Sequence, residues 1–275
     1  GAVGGMIGGM LGVLLVAALF LEGANLRDPN EPLLVALREN VRLVEVHLAM
    51  MRASNMKLAL EAVSRIPNIQ KLRLSATFDT SGRHGMHLLD LASALQRCSK
   101  LHTLELDWIG LLGESDDAIQ QDHFARFRQT LEASHNLKSV AIENFYFLQE
   151  AGPNAWLQPD RLLRALLGAR NLQKLVLSAV SRYYGRPVIT LDGTAAMFGH
   201  RCLEFIDMQQ IAFWGTGSTT VIRETLAKNN KLKDLYLRDC VFATQQPILS
   251  GLSQNTSISS LELGDSSLRE LEGKA

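Results

Sequence analysis

At 275 residues, 47% of them hydrophobic, the chain is long and apolar enough to bury a continuous core, which excludes a disordered tail. Its 28 Lys and Arg balance 28 Asp and Glu, so no global field draws it to a phosphate backbone, and nucleic acid is not expected as a partner. Cys98, Cys202 and Cys240 are odd in number and far apart, which suits neither a disulfide framework nor a paired-cysteine zinc site and points to a reducing, cytoplasmic setting.

The chain begins with an uncharged stretch from Ala2 to Leu21. About 20 apolar residues suffice to cross a bilayer. Gly4, Gly8 and Gly12 are spaced by four, as are Gly5 and Gly9, a small-residue face of the kind membrane helices pack with. The same stretch has a second reading, because Val16, Leu19 and Leu21 keep the cadence of the leucines that follow. That reading leaves residues 1–15 as an apolar, Gly-rich segment, either an incomplete repeat helix or a membrane segment, ahead of a repeat domain over 16–275. Contact with a membrane is expected only through residues 2–21.

From Leu43 onward one pattern recurs, L-x-x-L-x-L. It is met as Leu43, Val46, Leu48; as Ile69, Leu72, Leu74; as Leu101, Leu104, Leu106; and as Leu137, Val140, Ile142. It continues as Leu172, Leu175, Leu177; Leu203, Ile206, Met208; Leu232, Leu235, Leu237; and Ile258, Leu261, Leu263. First positions at 43, 69, 101, 137, 172, 203, 232 and 258 are separated by 26, 32, 36, 35, 31, 29 and 26 residues, lengths that hold one strand and one helix each. Helical spacing of apolar residues precedes most copies: Leu58, Leu60, Val63; Leu88, Leu91, Leu95; Phe124, Phe127, Leu131; Leu162, Leu163, Leu166; Val221, Ile222, Leu226. Asn68, Asn136, Asn171 and Asn230 stand between helix and strand, where a left-handed residue would end the helix. The last copy is followed by the start of another, so the chain reads as a fragment open at both ends.

A strand hides alternate side chains, so Leu72 and Leu74 point inward while Lys71, Arg73 and Ser75 point out. No single repeat can bury its apolar face alone. Stacked repeats share one core between a parallel sheet and a layer of helices, an α/β solenoid curved with the sheet on the concave side and the helices on the convex side.

With these residues in view, the chain resembles the ribonuclease-inhibitor-like branch of the leucine-rich repeat proteins. The resemblance runs from Val16 to the end, and its closest unit is LFLEGANLRDPNEPLLVALRENVRL, from Leu19 to Leu43. It implies about nine repeats and a protein-interaction scaffold that binds another protein through the concave sheet face and adjacent loops. The alternative it leaves is a membrane-tethered, receptor-like recognition protein anchored by the N-terminal run. The chain departs from the family where Asn or Cys is often found three positions after the last strand leucine. Only Cys240 matches; Met51, Ile109, Phe145, Val180 and Ile211 replace it, and Leu111, Phe147, Phe213 and Phe242 follow, so the turn is expected to be packed rather than hydrogen-bonded.

No catalytic constellation is present. The sequence has no phosphate-cradling loop ending in Lys and Ser or Thr, no H-E-x-x-H, no G-x-S-x-G and no C-x-x-C, so the chain is read as a non-enzyme without cofactor or metal. His47 and His102 are read as solvated surface histidines, and Asn255-Thr256-Ser257 as a chance match to a glycosylation acceptor. What remains is a surface. Hot spots favour large side chains with a polar handle. On the sheet, Arg73, Glu105, Phe205, Asp207, Tyr236 and Arg238 are the candidate partner-binding residues. In the longer loops, Trp108, Tyr183, Tyr184 and Trp214 are candidates for a rim, while Phe145, Phe147 and Phe213 read as plugs beneath their own turns.

Overall fold

A computed structural model describes residues 18–22, 32–51, 56–76, 86–112, 117–148, 158–180, 187–214, 217–242 and 245–264. Among them the strands are β1 (Ala18–Glu22), β2 (Glu45–Met51), β3 (Lys71–Ala76), β4 (Met86–His87), β5 (Thr103–Asp107), β6 (Gly110–Leu112) and β7 (Ser139–Leu148), then β8 (Lys174–Ala179), β9 (Val188–Ile189), β10 (Phe205–Gln209), β11 (Ala212–Phe213), β12 (Asp234–Arg238), β13 (Val241–Phe242) and β14 (Ser260–Leu263). The helices are α1 (Pro32–Glu39), α2 (Met56–Val63), α3 (Leu88–Arg97), α4 (Asp117–Ala133), α5 (Gln158–Leu166), α6 (Leu191–Phe198), α7 (Thr219–Lys228) and α8 (Gln246–Leu252).

Nine strands form one sheet in the order β1-β2-β3-β5-β7-β8-β10-β12-β14, and every neighbouring pair is parallel. Sequence order is therefore spatial order, as the cadence of leucines requires. The register matches it position for position: Leu72 lies opposite Leu104, Leu104 opposite Val140, Val140 opposite Leu175, and Leu175 opposite Ile206. Val46, Leu104, Val140, Leu175, Ile206 and Leu235 are wholly buried. Leu261, at the same position of the edge strand β14, is exposed, since among the described residues no further strand lies beside it. The chain is a leucine-rich repeat solenoid, with each helix packed beside the helices of neighbouring repeats behind this single sheet.

Leu19 and Leu21 of β1 face Val46 and Leu48 of β2, which takes the end of the N-terminal apolar run into the sheet. Residues 2–17 of that run lie outside the described residues, as do Tyr183 and Tyr184. Among the described residues no helix is long and apolar enough to cross a membrane.

The helical faces follow the spacing of apolar residues, with two exceptions. Leu88, Leu91, Leu95, Phe124, Phe127, Leu131, Leu162, Leu163, Leu166, Ile222 and Leu226 are buried. Leu58 is only half-buried, and Val221 is exposed because α7 turns Ile222 and Leu226 inward instead.

The asparagines work differently from the expectation. Left-handed backbone occurs at Trp108, Asn144, Gln210 and Asp239, each two residues past the last inward side chain of its strand, and not at Asn68, Asn136 or Asn171. Those three use the side-chain amide to cross between repeats: Asn68 Nδ2 donates to the Val41 carbonyl (2.6 Å), Asn136 to that of Ser99 (2.8 Å) and Asn171 to that of His135 (2.7 Å). In the later repeats the role passes to Asn229, not Asn230. Its Nδ2 donates to the Phe198 carbonyl at 2.6 Å, while its Oδ1 accepts from the backbone N–H of Lys231 and Leu232. Asn255 does the same, giving its Nδ2 hydrogens to the Leu226 and Asn229 carbonyls, which also occupies the nitrogen that glycosylation would need.

The turns that follow the strands are packed, as their apolar residues foretell. Ile109, Leu111, Phe145, Ile211, Phe213 and Phe242 are buried, and Phe213 stacks on Phe242 with centroids 4.8 Å apart. The side chain of Phe147 lies outside the described set. These residues also form a second layer of short parallel strands, β4–β6–β7 in one part and β9–β11–β13 in the other. Cys240 keeps the hydrogen-bonded form, its thiol donating to the Met208 carbonyl one repeat back at 3.4 Å.

One polar knot lies inside the stack. Asp160 is buried, and its Oδ1 accepts from both the N–H and the hydroxyl of Thr190, while Oδ2 accepts from Arg164 Nε at 2.6 Å. Thr190 in turn caps α6 by accepting from the Gly193 N–H. The Gly193 α-carbon lies so close to Asp160 Oδ1 that a side chain there would strike it. Replacing Asp160 by Ala leaves a buried N–H without an acceptor and is expected to cost about 2–4 kcal/mol in denaturant unfolding. For the ladder, Asn229→Ala should cost about 1–2 kcal/mol while Asn230→Ala is nearly neutral; equal effects of the two replacements would remove the cross-repeat role given to Asn229.

Candidate functional site

The outward side chains of the main sheet form a continuous ribbon, because parallel pairing places equivalent positions of successive repeats side by side. At its middle the ribbon carries Ala141 and Val176, only 9% and 8% exposed. These small apolar residues, opposite each other in the register, make a floor between two charged banks.

On the N-terminal bank the charges are mostly paired across strands. Lys71 bridges Glu45 at 3.0 Å and Arg73 bridges Glu105 at 3.7 Å. His47 is half-buried beside this pair, and burial followed by the nearby Arg73 guanidinium lowers its pKa, which keeps it neutral near pH 7. Asp107, one step further along β5, accepts from the Ser75 hydroxyl (3.3 Å) and from Asn144 Nδ2 (2.8 Å).

The C-terminal bank joins four of the six sheet candidates. Phe205 and Tyr236 meet with ring centroids 5.4 Å apart and planes tilted by 47°. Lys174 Nζ lies 4.9 Å from the Phe205 centroid, and the Arg238 guanidinium 5.2 Å from that of Tyr236, so a cation closes each end of the aromatic pair. The Tyr236 hydroxyl is hydrogen-bonded to Ser260 Oγ at 2.8 Å. Arg238 also reaches Glu262 (3.1 Å) and Asp207 (3.7 Å). The other two candidates, Arg73 and Glu105, face each other on β3 and β5, with β7 and β8 between them and Phe205.

Two carboxylates on this ribbon stand against their own solvation. Burial raises the pKa of Asp207 in spite of Arg238, and Glu262 adds to the rise. Burial likewise raises Glu143, helped by Asp107. Neither would be chosen for stability alone.

Of the loop candidates, Trp214 is exposed and follows β11, and Trp108 is half-buried in a left-handed turn before β6. They belong to the repeats of β10 and β5, with β7 and β8 between, so the two tryptophans are not neighbours. Lys174, Glu143 and Gln209 were not singled out from sequence. Each is an outward position of its strand: Lys174 lies in the first outward row, between Ser139 and Phe205, while Glu143 and Gln209 lie in the third, where Ser75, Asp107 and Glu143 share one register line and Ser178, Gln209 and Arg238 another. Ser178 Oγ donates to Gln209 Oε1 along that line at 3.2 Å. Among the described residues no cluster of His, Cys, Asp or Glu has the arrangement of a metal site. Burial pushes the Cys98 thiol up to about 11, which leaves it a poor nucleophile.

No protein-family model matches the chain, and no curated protein matches it. Among solved structures it is similar to internalin C2 of Listeria monocytogenes, at 12% identity and a TM-score of 0.45, over 82% of this chain and 74% of that one. It is similar to a Bacteroides fragilis protein at 13% identity and a TM-score of 0.41, over 82% of this chain and 61% of that one. It is also similar to TLR13, from a structure of that protein with ssRNA13, at 14% identity and a TM-score of 0.43, over 87% of this chain and 31% of that one.

Proposed function

We propose that this chain is a non-enzymatic scaffold of the ribonuclease-inhibitor-like type, working in the cytoplasm, which binds another protein on its concave sheet and the adjacent loops. The observation that carries this reading is the row Lys174–Phe205–Tyr236–Arg238. It is an aromatic pair closed by two cations and held by Ser260, Asp207 and Glu262. Such a row is stiff before any partner arrives, so docking on it orders few rotamers and loses little entropy. The subtype rests on steps of 26 to 36 residues with a helix in every unit after β1, and on the thiol of Cys240 bonded back to the preceding repeat. The repeat domain is taken to begin at residue 16, since β1 already pairs in the common register.

Asp207 and Glu143 support the same face. A carboxylate held where burial raises its pKa costs the fold stability, and such costs concentrate where a surface is kept for binding.

A photo-crosslinking side chain placed at Phe205 should yield a discrete protein adduct in cells, and one placed at the exposed helix residue Ile119 should not. The adduct should disappear on Tyr236→Ala with Arg238→Ala, a loss of about thirtyfold or more in affinity, while the melting temperature stays near that of the unaltered chain. Retention of the adduct in that double variant overturns the assignment. Asp207 provides a pH test. Its raised folded pKa means that its contribution to stability is full below the ordinary carboxylate range and is lost as pH rises through the folded value. Asp207→Asn should therefore melt at or above the temperature of the unaltered chain at neutral pH, and that advantage should vanish in acid.

A further inference from the structure

On the edge where helices return to strands, away from the concave face, an open cavity of about 680 Å3 is lined by four arginines and a histidine, with no carboxylate among the described residues of its wall. The repeat explains how they meet. Arg170 and Arg201 each stand two residues before the first leucine of a copy, Leu172 and Leu203, so stacking places them at equivalent points of adjacent turns. Arg164 comes from the last turn of α5 and Arg128 from α4 of the preceding repeat.

The pairing of these charges is uneven. Arg128 Nε donates to Glu132 at 2.8 Å, and Arg164 Nε donates to Asp160 at 2.6 Å. Arg170 and Arg201 are exposed and make no side-chain hydrogen bond or ion pair among the described residues. His200, between them, is committed to the fold: its Nδ1 accepts from the Cys202 N–H at 3.4 Å, and it is hydrogen-bonded to backbone at Ala169 and Leu167, with burial holding its pKa low. The cavity is thus left with two uncompensated positive charges on a chain whose formal charge is zero.

Shape adds to charge. The wall is held in place by glycine: a side chain on Gly168 would meet Arg128 Cγ at 3.0 Å and Glu132 Cγ at 3.2 Å, so the Arg128 stem lies against the turn that leads to Arg170. Among the described residues, Leu167 and Ala196 are its only apolar side chains, and its one ring is the His200 imidazole, which is already tied to the backbone of Cys202, Ala169 and Leu167. That lining offers neither a stacking platform for a nucleobase nor a pocket for an acyl chain. Planar guanidinium forks match tetrahedral oxyanions, and a phosphomonoester carries about −1.5 to −2 at neutral pH, the charge that two free arginines balance.

We propose that this cavity is a binding site for a phosphomonoester group, gripped by Arg170 and Arg201 and flanked by Arg128 and Arg164. It is separate from the sheet surface proposed above and does not depend on it.

The test is isothermal titration of the full chain at low ionic strength with glycerol 2-phosphate and with a short neutral peptide bearing one phosphoserine. Saturable one-to-one binding is expected for at least one of them. Comparable affinity for both identifies a small soluble phosphomonoester as the source, and a tighter fit of the peptide identifies a phosphorylated side chain of a partner. Because the second ionisation lies near about pH 6, affinity should strengthen as pH rises through that value. Arg170→Gln with Arg201→Gln replaces two exposed side chains and leaves the fold intact. It should weaken binding by about a hundredfold, roughly tenfold for each guanidinium removed. Arg97→Gln, an exposed arginine on α3 outside the cavity, should change nothing. Absence of saturation by either ligand at millimolar concentration overturns the proposal, as does equal binding by the double variant, or equal weakening by Arg97→Gln.

Discussion

Everything in this molecule depends on keeping the parallel register between successive strands. A shift of one residue would turn every leucine of that strand out to solvent and every Lys, Arg or Glu into the core, so each repeat is locked to the next by the combined burial of two or three apolar side chains. The register holds although the steps vary from 26 to 36 residues. Length variation is absorbed beyond the ends of the strands, where β7 continues as far as Leu148 through the left-handed Asn144 and a shift between Ile142 and Phe145. The pairing of the inward L-x-L positions is kept throughout, and the shifts, here and after Leu48 in β2, come only beyond the last inward side chain.

A parallel stack leaves two edges of backbone polar groups to satisfy, and the chain meets that demand with different chemistry on each. Where helix returns to strand, side-chain amides do it, from Asn68 to Asn255, by donating to carbonyls one repeat back. Where strand leaves for the helix, short second strands and buried aromatics do it, supplemented at Cys240 by a thiol. The apolar turns at Ile109, Phe145 and Ile211 are therefore a substitution of one means of closing the turn for another. Packing replaces the side-chain hydrogen bond, and the backbone groups freed by that change pair with the neighbouring repeat, as the Tyr146 N–H does by donating to the Ile109 carbonyl one repeat back.

The sheet, its order, its register and its buried face were legible because they follow from local spacing alone: alternate residues in, alternate residues out, one copy every 26 to 36 residues. The work of the asparagines was not. Asn229 and Asn230 are adjacent and alike in type, and only the carbonyl of Phe198, 31 residues earlier, decides which of them is used. Asp160 was unreadable for the same reason, since its acceptor role is fixed by Thr190, 30 residues later. Val221 and Ile222 illustrate a third limit. Both suit a helical stripe, and the choice between them depends on a rotation of α7 about its axis that the neighbouring helices set. On the concave face, the candidates were found by alternation, but the coupling among Lys174, Phe205, Tyr236 and Arg238 is a diagonal relation between strands that no single segment contains.

The same stacking that builds the core also multiplies whatever chemistry a repeat position carries, and this accounts for both surfaces. On the sheet, outward positions of adjacent strands alternate in sign or pair aromatic with cation, so neighbours satisfy each other and the face is ordered without being strongly charged: Glu45 with Lys71, Arg73 with Glu105, Lys174 with Phe205. At the helix-to-strand turn, Arg170 and Arg201 are like charges at equivalent positions, and repetition there adds repulsion instead of relieving it. Two guanidiniums brought together by a fold that gives them no carboxylate among the described residues leave a local field with no internal answer, and the free energy to be gained by neutralising it is available to whatever dianion enters. A solenoid thus separates its tasks by register position: the leucine line holds the repeats together, the alternating line presents a preformed surface, and at one turn position two adjacent repeats set a pair of like charges, Arg170 and Arg201, open to a counter-ion.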